Sequence, residues 1–146
     1  MKRISLFVLV ISTLLLLSSC KVKSLSKEDY VELYYSYHVY QEKETGCIDL
    51  RDLNGEYAKG HIKGFVNYNY QNGNVEEFIY YVSSMFNKKT YIFLIDNNGE
   101  YVKEASKILK QEGYKHIIIY EKGYKDLIEY AKEYLQIVEG TDDCGC

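Results

Sequence analysis

The chain has 146 residues with 18 basic and 21 acidic side chains, a formal net charge of −3. That balance gives no basic face of the kind nucleic acid requires, so a nucleic-acid partner is not expected. The length and apolar content suit one domain with a single core. The 17 tyrosines, in a chain without proline or tryptophan, read as compositional bias, although pairs such as Tyr34/Tyr35 and Tyr80/Tyr81 can make a sticky surface.

In chain order, Lys2 and Arg3 form a short basic start, and residues 4–17 are almost unbroken apolar sequence. This run is too short for a comfortable membrane span and ends in small residues, as an export signal does. Its close, Leu17-Ser18-Ser19-Cys20, resembles the lipobox of bacterial lipoproteins, in which the cysteine is lipidated and becomes the mature N-terminus. Residues 1–19 are therefore expected to be a lipoprotein signal peptide and Cys20 the lipid attachment site. The mature domain is expected on the extracytoplasmic side of a cell membrane, held there by its anchor. Removing residues 1–19 takes away Lys2 and Arg3 and no acid, which moves the net charge to −5.

Residues 20–25 read as a tether. Ser26 then fits a helix N-cap with Asp29 in the capping-box position, and the helix is expected to run to about Tyr37 with Val31, Tyr34 and Tyr35 inward. Residues 47–50 are a short buried strand, 51–55 a turn, 56–59 one helical turn, and 65–68 a second strand. A loop at 71–74 caps a helix in which Val75, Phe78, Ile79, Val82, Met85 and Phe86 form a core-facing stripe.

Tyr91–Ile95 is a continuous apolar run, the mark of a strand buried on both faces. After it the tight polar loop Asp96-Asn97-Asn98-Gly99-Glu100-Tyr101 leads into a helix whose apolar side is Val102, Ala105, Ile108 and Leu109. A loop at the carboxyl end of such a strand is where an α/β sheet places its chemistry. That helix ends with Gly113 as C′, residues 117–120 form another apolar strand, and 121–123 turn into a last helix. Its expected buried face is Tyr124, Leu127, Ile128, Ala131, Tyr134, Leu135 and Val138. Alternation of this kind predicts an α/β fold, a parallel sheet flanked by helices on both faces, spanning residues 26–138. Residues 139–146 read as a flexible tail.

The segments Ile48-Asp49-Leu50-Arg51 and Glu56-Tyr57-Ala58-Lys59-Gly60-His61-Ile62-Lys63-Gly64-Phe65-Val66-Asn67 resemble the rhodanese-like family. The family pattern there is a strand ending Asp-x-Arg, then Glu-Tyr-x-x-Gly-His-Ile-Pro-Gly-Ala-x-Asn. Lys63 stands for the proline and Phe65 for the alanine. The resemblance implies a rhodanese-like fold over nearly the whole mature domain. It also implies structural roles for Asp49, Arg51 and His61, which hold the first strand to its neighbouring turn. A lone histidine without a second ligand makes a poor metal or base candidate, and His38 and His116 are isolated.

Active sulfurtransferases of this family carry a loop resembling Cys-Arg-x-Gly-x-Arg, whose cysteine holds a persulfide. Here Asp96 takes the cysteine position, Asn97 and Tyr101 take the arginine positions, and Gly99 is retained. No residue of this loop can carry sulfane sulfur, and Asp96 with Glu100 makes it repel thiosulfate. Sulfurtransferase activity is expected to be lost, and no catalytic residue, metal or cofactor is assigned. The loop 96–101 is kept as a possible binding surface for an unknown protein partner. Two further uses of Asp96 are conceivable: closing the anion site from within by accepting backbone N–H bonds, or joining Asn97, Asn98 and Glu100 around a cation such as Ca²⁺.

Beyond Cys20, three cysteines remain. Cys47 falls in a buried strand and reads as a core residue. Cys144-Gly145-Cys146 is a possible redox pair, which gives the alternative function of thiol–disulfide exchange; Asp142 and Asp143 beside it disfavour the thiolate.

Overall fold

The computed structural model describes residues 22 and 24–141. The expected signal peptide, Cys20, most of the tether and the Cys144/Cys146 pair lie outside them. Among the described residues no helix is long and apolar enough to cross a membrane.

Helix α1 spans Lys27–Leu33 and begins where Ser26 Oγ accepts the Asp29 N–H at 3.1 Å. It passes directly into a wider π-helical turn, Tyr34–Val39. Strand β1, Thr45–Asp49, follows, then a π-helical turn at Leu53–Tyr57, and two short strands, β2 at His61–Ile62 and β3 at Val66–Asn67. A 3₁₀ turn, Tyr70–Asn72, leads into α2, Val75–Met85, capped by Asn74 Oδ1 on the Glu77 N–H at 3.1 Å. Strand β4, Tyr91–Ile95, precedes α3, Glu100–Gln111; β5, His116–Ile119, precedes α4, Gly123–Ala131; and β6, Ile137–Val138, closes the chain.

Four strands form one parallel sheet in the order β3-β1-β4-β5. The pleat sorts the apolar runs into two cores. Cys47, Phe93, Ile95 and Ile118 face α1 and α4, where Tyr30, Tyr34, Leu127 and Ala131 meet them. Ile48, Ile92, Leu94, Ile117 and Ile119 face the other way, onto Phe78 and Val82 of α2 and Val102, Ala105 and Leu109 of α3. Residues 92–95 are wholly buried, as a strand with neighbours on both edges and helices on both faces must be.

The last helix, α2 and the tether differ from expectation. The last helix stops at Ala131, and Ile137–Val138 pairs antiparallel with His61–Ile62 as a separate two-stranded sheet. Tyr134 consequently lies 61% exposed instead of in the core. In α2 only Phe78 and Val82 are buried, and Met85, in the last turn, is 42% exposed. Within the segment expected to be tether, Ser24 forms a parallel bridge to Ile119, and the Leu25 N–H donates to the Ile119 carbonyl at 3.2 Å.

Candidate functional site

The carboxyl ends of β1 and β4 lie side by side, with Asp49 in register with Ile95. Each strand delivers a fully buried carboxylate there, Asp49 and Asp96. An ionised group so placed must be compensated locally, and the two are compensated differently.

Asp49 is held by Arg51. The Arg51 backbone N–H donates to Asp49 Oδ1 at 3.0 Å, Nε to Oδ1 at 2.9 Å and Nη2 to Oδ2 at 2.6 Å. Burial pushes the Asp49 carboxyl up, and the Arg51 contact pulls against it. Arg51 Nη2 also donates to the Gly60 carbonyl at 2.9 Å, and its guanidinium carbon lies 3.5 Å from the centre of the Tyr124 ring. His61 is 1% exposed and stacks on Tyr57 at 3.7 Å, with Nδ1 3.1 Å from the Tyr57 carbonyl. Asn67 Nδ2 donates to the carbonyls of Asp49 at 3.1 Å and Arg51 at 2.8 Å. Together these contacts bind the β1 end, the following turn and α4 into one unit.

Among the described residues no cation pairs with Asp96. Its Oδ1 accepts the Gly99 N–H at 2.5 Å, and its Oδ2 accepts the N–H groups of Tyr101 at 2.7 Å and Val102 at 3.2 Å. These are free donors at the start of α3, where the helix field favours a negative charge. The loop therefore folds around its own anion. Gly99, at φ 85°, makes this path possible: a Cβ there would lie 1.7 Å from the Glu121 carbonyl oxygen. Gly123, also at φ 85°, meets the loop from the opposite side, where a Cβ would lie 1.9 Å from the Asn97 carbonyl oxygen. The Tyr124 N–H donates to the Asp96 carbonyl at 2.7 Å. The loop is clamped between α3 and the turn before α4.

The other loop residues diverge. The Asn97 amide donates to the Glu56 carboxylate, and Asn98 Oδ1 accepts the Glu100 N–H at 3.2 Å. Glu100 and Tyr101 belong to the first turn of α3, which begins two residues earlier than the apolar stripe predicts. Tyr101 packs toward Tyr70 at 5.6 Å. A shared oxygen cage of Asp96, Asn97, Asn98 and Glu100 is not formed: both Asp96 oxygens turn inward to main-chain donors, and Asn97 turns to Glu56. Among the described residues no group of three or more His, Cys, Asp or Glu side chains is placed to hold a metal ion.

Beside the loop lies a cavity of about 430 Å³, walled by Arg51, Glu56, Lys59, Asn97, Tyr124 and Lys125. Asn97 is the member of the 96–101 loop that reaches it. Lys59 and Lys125 are new to the site. They come from separate segments, and neither follows a spacing that sequence inspection would single out. Cys47, by contrast, sits inside the sheet at 2% exposure, and burial pushes its thiol far up. His38 stands apart, its Nδ1 2.8 Å from Thr45 Oγ1 and burial lowering its pKa; His116 stacks on Tyr91 at 4.1 Å.

An open parallel sheet helix-covered on both faces, with a main-chain N–H nest after its central strand, defines a small α/β domain built around an anion-holding loop. Its family is known: the chain belongs to the rhodanese-like domain family, whose profile matches residues 37–129. The crystal structure of the Alr3790 protein from Anabaena sp. superposes with a TM-score of 0.60 at 19% identity, covering 77% of this chain and 81% of that one. The human single-domain sulfurtransferase TSTD1 gives 0.57 at 16% identity, covering 75% and 97%. Protein hp1203 from Helicobacter pylori gives 0.53 at 19% identity, covering 79% and 94%. At such identities the likeness speaks for the fold. Among curated proteins none matches the chain.

Proposed function

We propose that this chain is an exported, lipid-anchored rhodanese-like domain that lacks sulfurtransferase chemistry and serves as a non-catalytic binding or accessory module. The observation that carries this reading is the Asp96 carboxylate seated in the loop's own N–H nest. Sulfur transfer needs a thiolate nucleophile in positive surroundings. Position 96 offers a carboxylate in its place, and that carboxylate occupies the donors an incoming anion would use. Cys47, the thiol among the described residues, is enclosed in β1 and held protonated by burial. Export and anchoring are supported by the leader pattern ending at Cys20, and a binding role by the cavity between Glu56, Lys59 and Lys125.

The test is sulfur transfer to cyanide from thiosulfate or 3-mercaptopyruvate by the purified protein. The expected result is no turnover above a protein-free blank. Turnover that scales with protein concentration would overturn the reading. Thiol alkylation of the same sample, with and without reductant, reads the alternative of exchange by Cys144 and Cys146.

A further inference from the structure

The lysines are unevenly placed. Thr45, Tyr91 and His116 begin β1, β4 and β5 in register, so the residues just before them share one pole of the sheet. Lys43, Lys88, Lys89 and Lys115 lie there, exposed, and Lys110 joins them from the last turn of α3. The Lys115 N–H donates to the Lys88 carbonyl at 3.2 Å, and Lys110 Nζ to the Lys115 carbonyl at 3.0 Å, which draws the group together. None of the five forms an ion pair among the described residues. Lys88 Nζ instead lies 4.0 Å from the centre of the Tyr114 ring. Facing these five lysines are the carboxylates of Glu44, which accepts from Asn87 and Thr90, of Glu42, which accepts from Ser36, and of Glu112. These bonds come from neutral groups and leave the three charges in place, so the lysines outnumber them. This end is therefore net positive on a chain that is acidic overall.

The first described residues, Val22 and Ser24, lead toward the same pole. Ser24 pairs with Ile119 in parallel, so the chain traced backwards from Ser24 runs toward the amino-terminal end of β5. Val22 packs on the core cluster that holds Ile117 and Ile119. Cys20 stands two residues before Val22, a span of at most about 7 Å of chain.

We propose that this amino-terminal pole is a membrane-facing surface whose lysines rest on anionic phospholipid headgroups. The surface rests on the reading of Cys20 as a lipid anchor, which at this reach leaves the domain no room to stand off from the bilayer. A lipid chain and a polybasic patch act together, the first supplying apolar burial and the second attraction to negative headgroups. The cavity at Arg51, Lys59 and Lys125 lies at the opposite, carboxyl end of the strands and is thereby turned outward, toward a partner.

The test uses the full chain, processed in a bacterial host and reconstituted into vesicles of phosphatidylcholine alone or with phosphatidylglycerol. A membrane-impermeant acetylating reagent is added and lysine labelling is read by mass spectrometry. Lys59 and Lys125 in the same molecules serve as the internal reference. On phosphatidylglycerol vesicles Lys88, Lys89 and Lys115 are expected to label roughly threefold more slowly than that reference, with the difference lost at about 1 M salt. An unchanged ratio between the two vesicle types overturns the proposal. The mass of the Cys20 peptide reads anchoring separately. Should Cys20 carry no lipid, the anchoring reading fails, and the same labelling with vesicles added to the free protein decides the surface: protection sustains it, and equal labelling overturns it.

Discussion

Asp49 and Asp96 occupy nearly equivalent places, at the ends of adjacent parallel strands and out of contact with water, yet they are stabilised by different parts of the chain. Asp49 depends on one side chain, Arg51, which itself leans on Tyr124 and the Gly60 carbonyl. Asp96 depends on the main chain of the helix it precedes. A buried ion pair fails when either partner is removed, because the survivor stays charged in a dry site. An N–H nest is part of a helix and cannot be deleted by substitution. It can only be left empty, and an empty nest can still take an anion from solution.

The largest effect should follow from removing the side-chain partner. Arg51→Ala strands Asp49 and is expected to cost about 3–5 kcal/mol, read from the urea midpoint of unfolding, with no recovery on adding sulfate. Full stability in that variant would mean that Asp49 is not charged in the fold, and the comparison would break. Asp96→Ala should cost less, about 1.5–3 kcal/mol for the lost charge-assisted hydrogen bonds. Its distinguishing mark is that sulfate raises the Tm of this variant more than that of the native protein. Equal responses would show that the nest closes without its carboxylate. The smallest effect belongs to the outer support of the pair: Tyr124→Leu removes the ring beneath the guanidinium and is expected to cost about 0.5–2 kcal/mol beyond the change in packing. Tyr124→Phe, which keeps the ring, isolates that contribution by difference.

Much of this edge was legible in the sequence, and the parts that were not share a cause. The apolar runs of β4 and β5 and the stripe of α3 mark buried elements because burial on fixed faces imposes its period on local sequence. The Asp-x-Arg spacing likewise places both groups of one ion pair within three residues. Strand β6 was invisible for the opposite reason. Ile137 and Val138 continue the helical spacing from Tyr134 and Leu135, and only the distant pairing with His61 and Ile62 makes them extended. The cavity was hidden in the same way: Glu56, Lys59, Asn97 and Lys125 meet only once three turns are folded together. The two π-helical turns leave no signature either, since a wider turn changes hydrogen-bond partners without changing which side chains are apolar.

The antiparallel β2–β6 pair bears on how the protein should be handled. Ile137 lines the cavity, and the Gly140 N–H donates to the Ala58 carbonyl at 2.8 Å, next to Lys59 on the cavity wall. The chain thus leaves the domain at the mouth of the cavity. An affinity tag or fluorescent protein fused after Cys146 would hang over that mouth from a stalk of six residues, about 20 Å at full stretch. Pull-downs made with such fusions would screen the cavity from a large partner. A label carried instead on Tyr80, an exposed side chain of α2, would leave the mouth open.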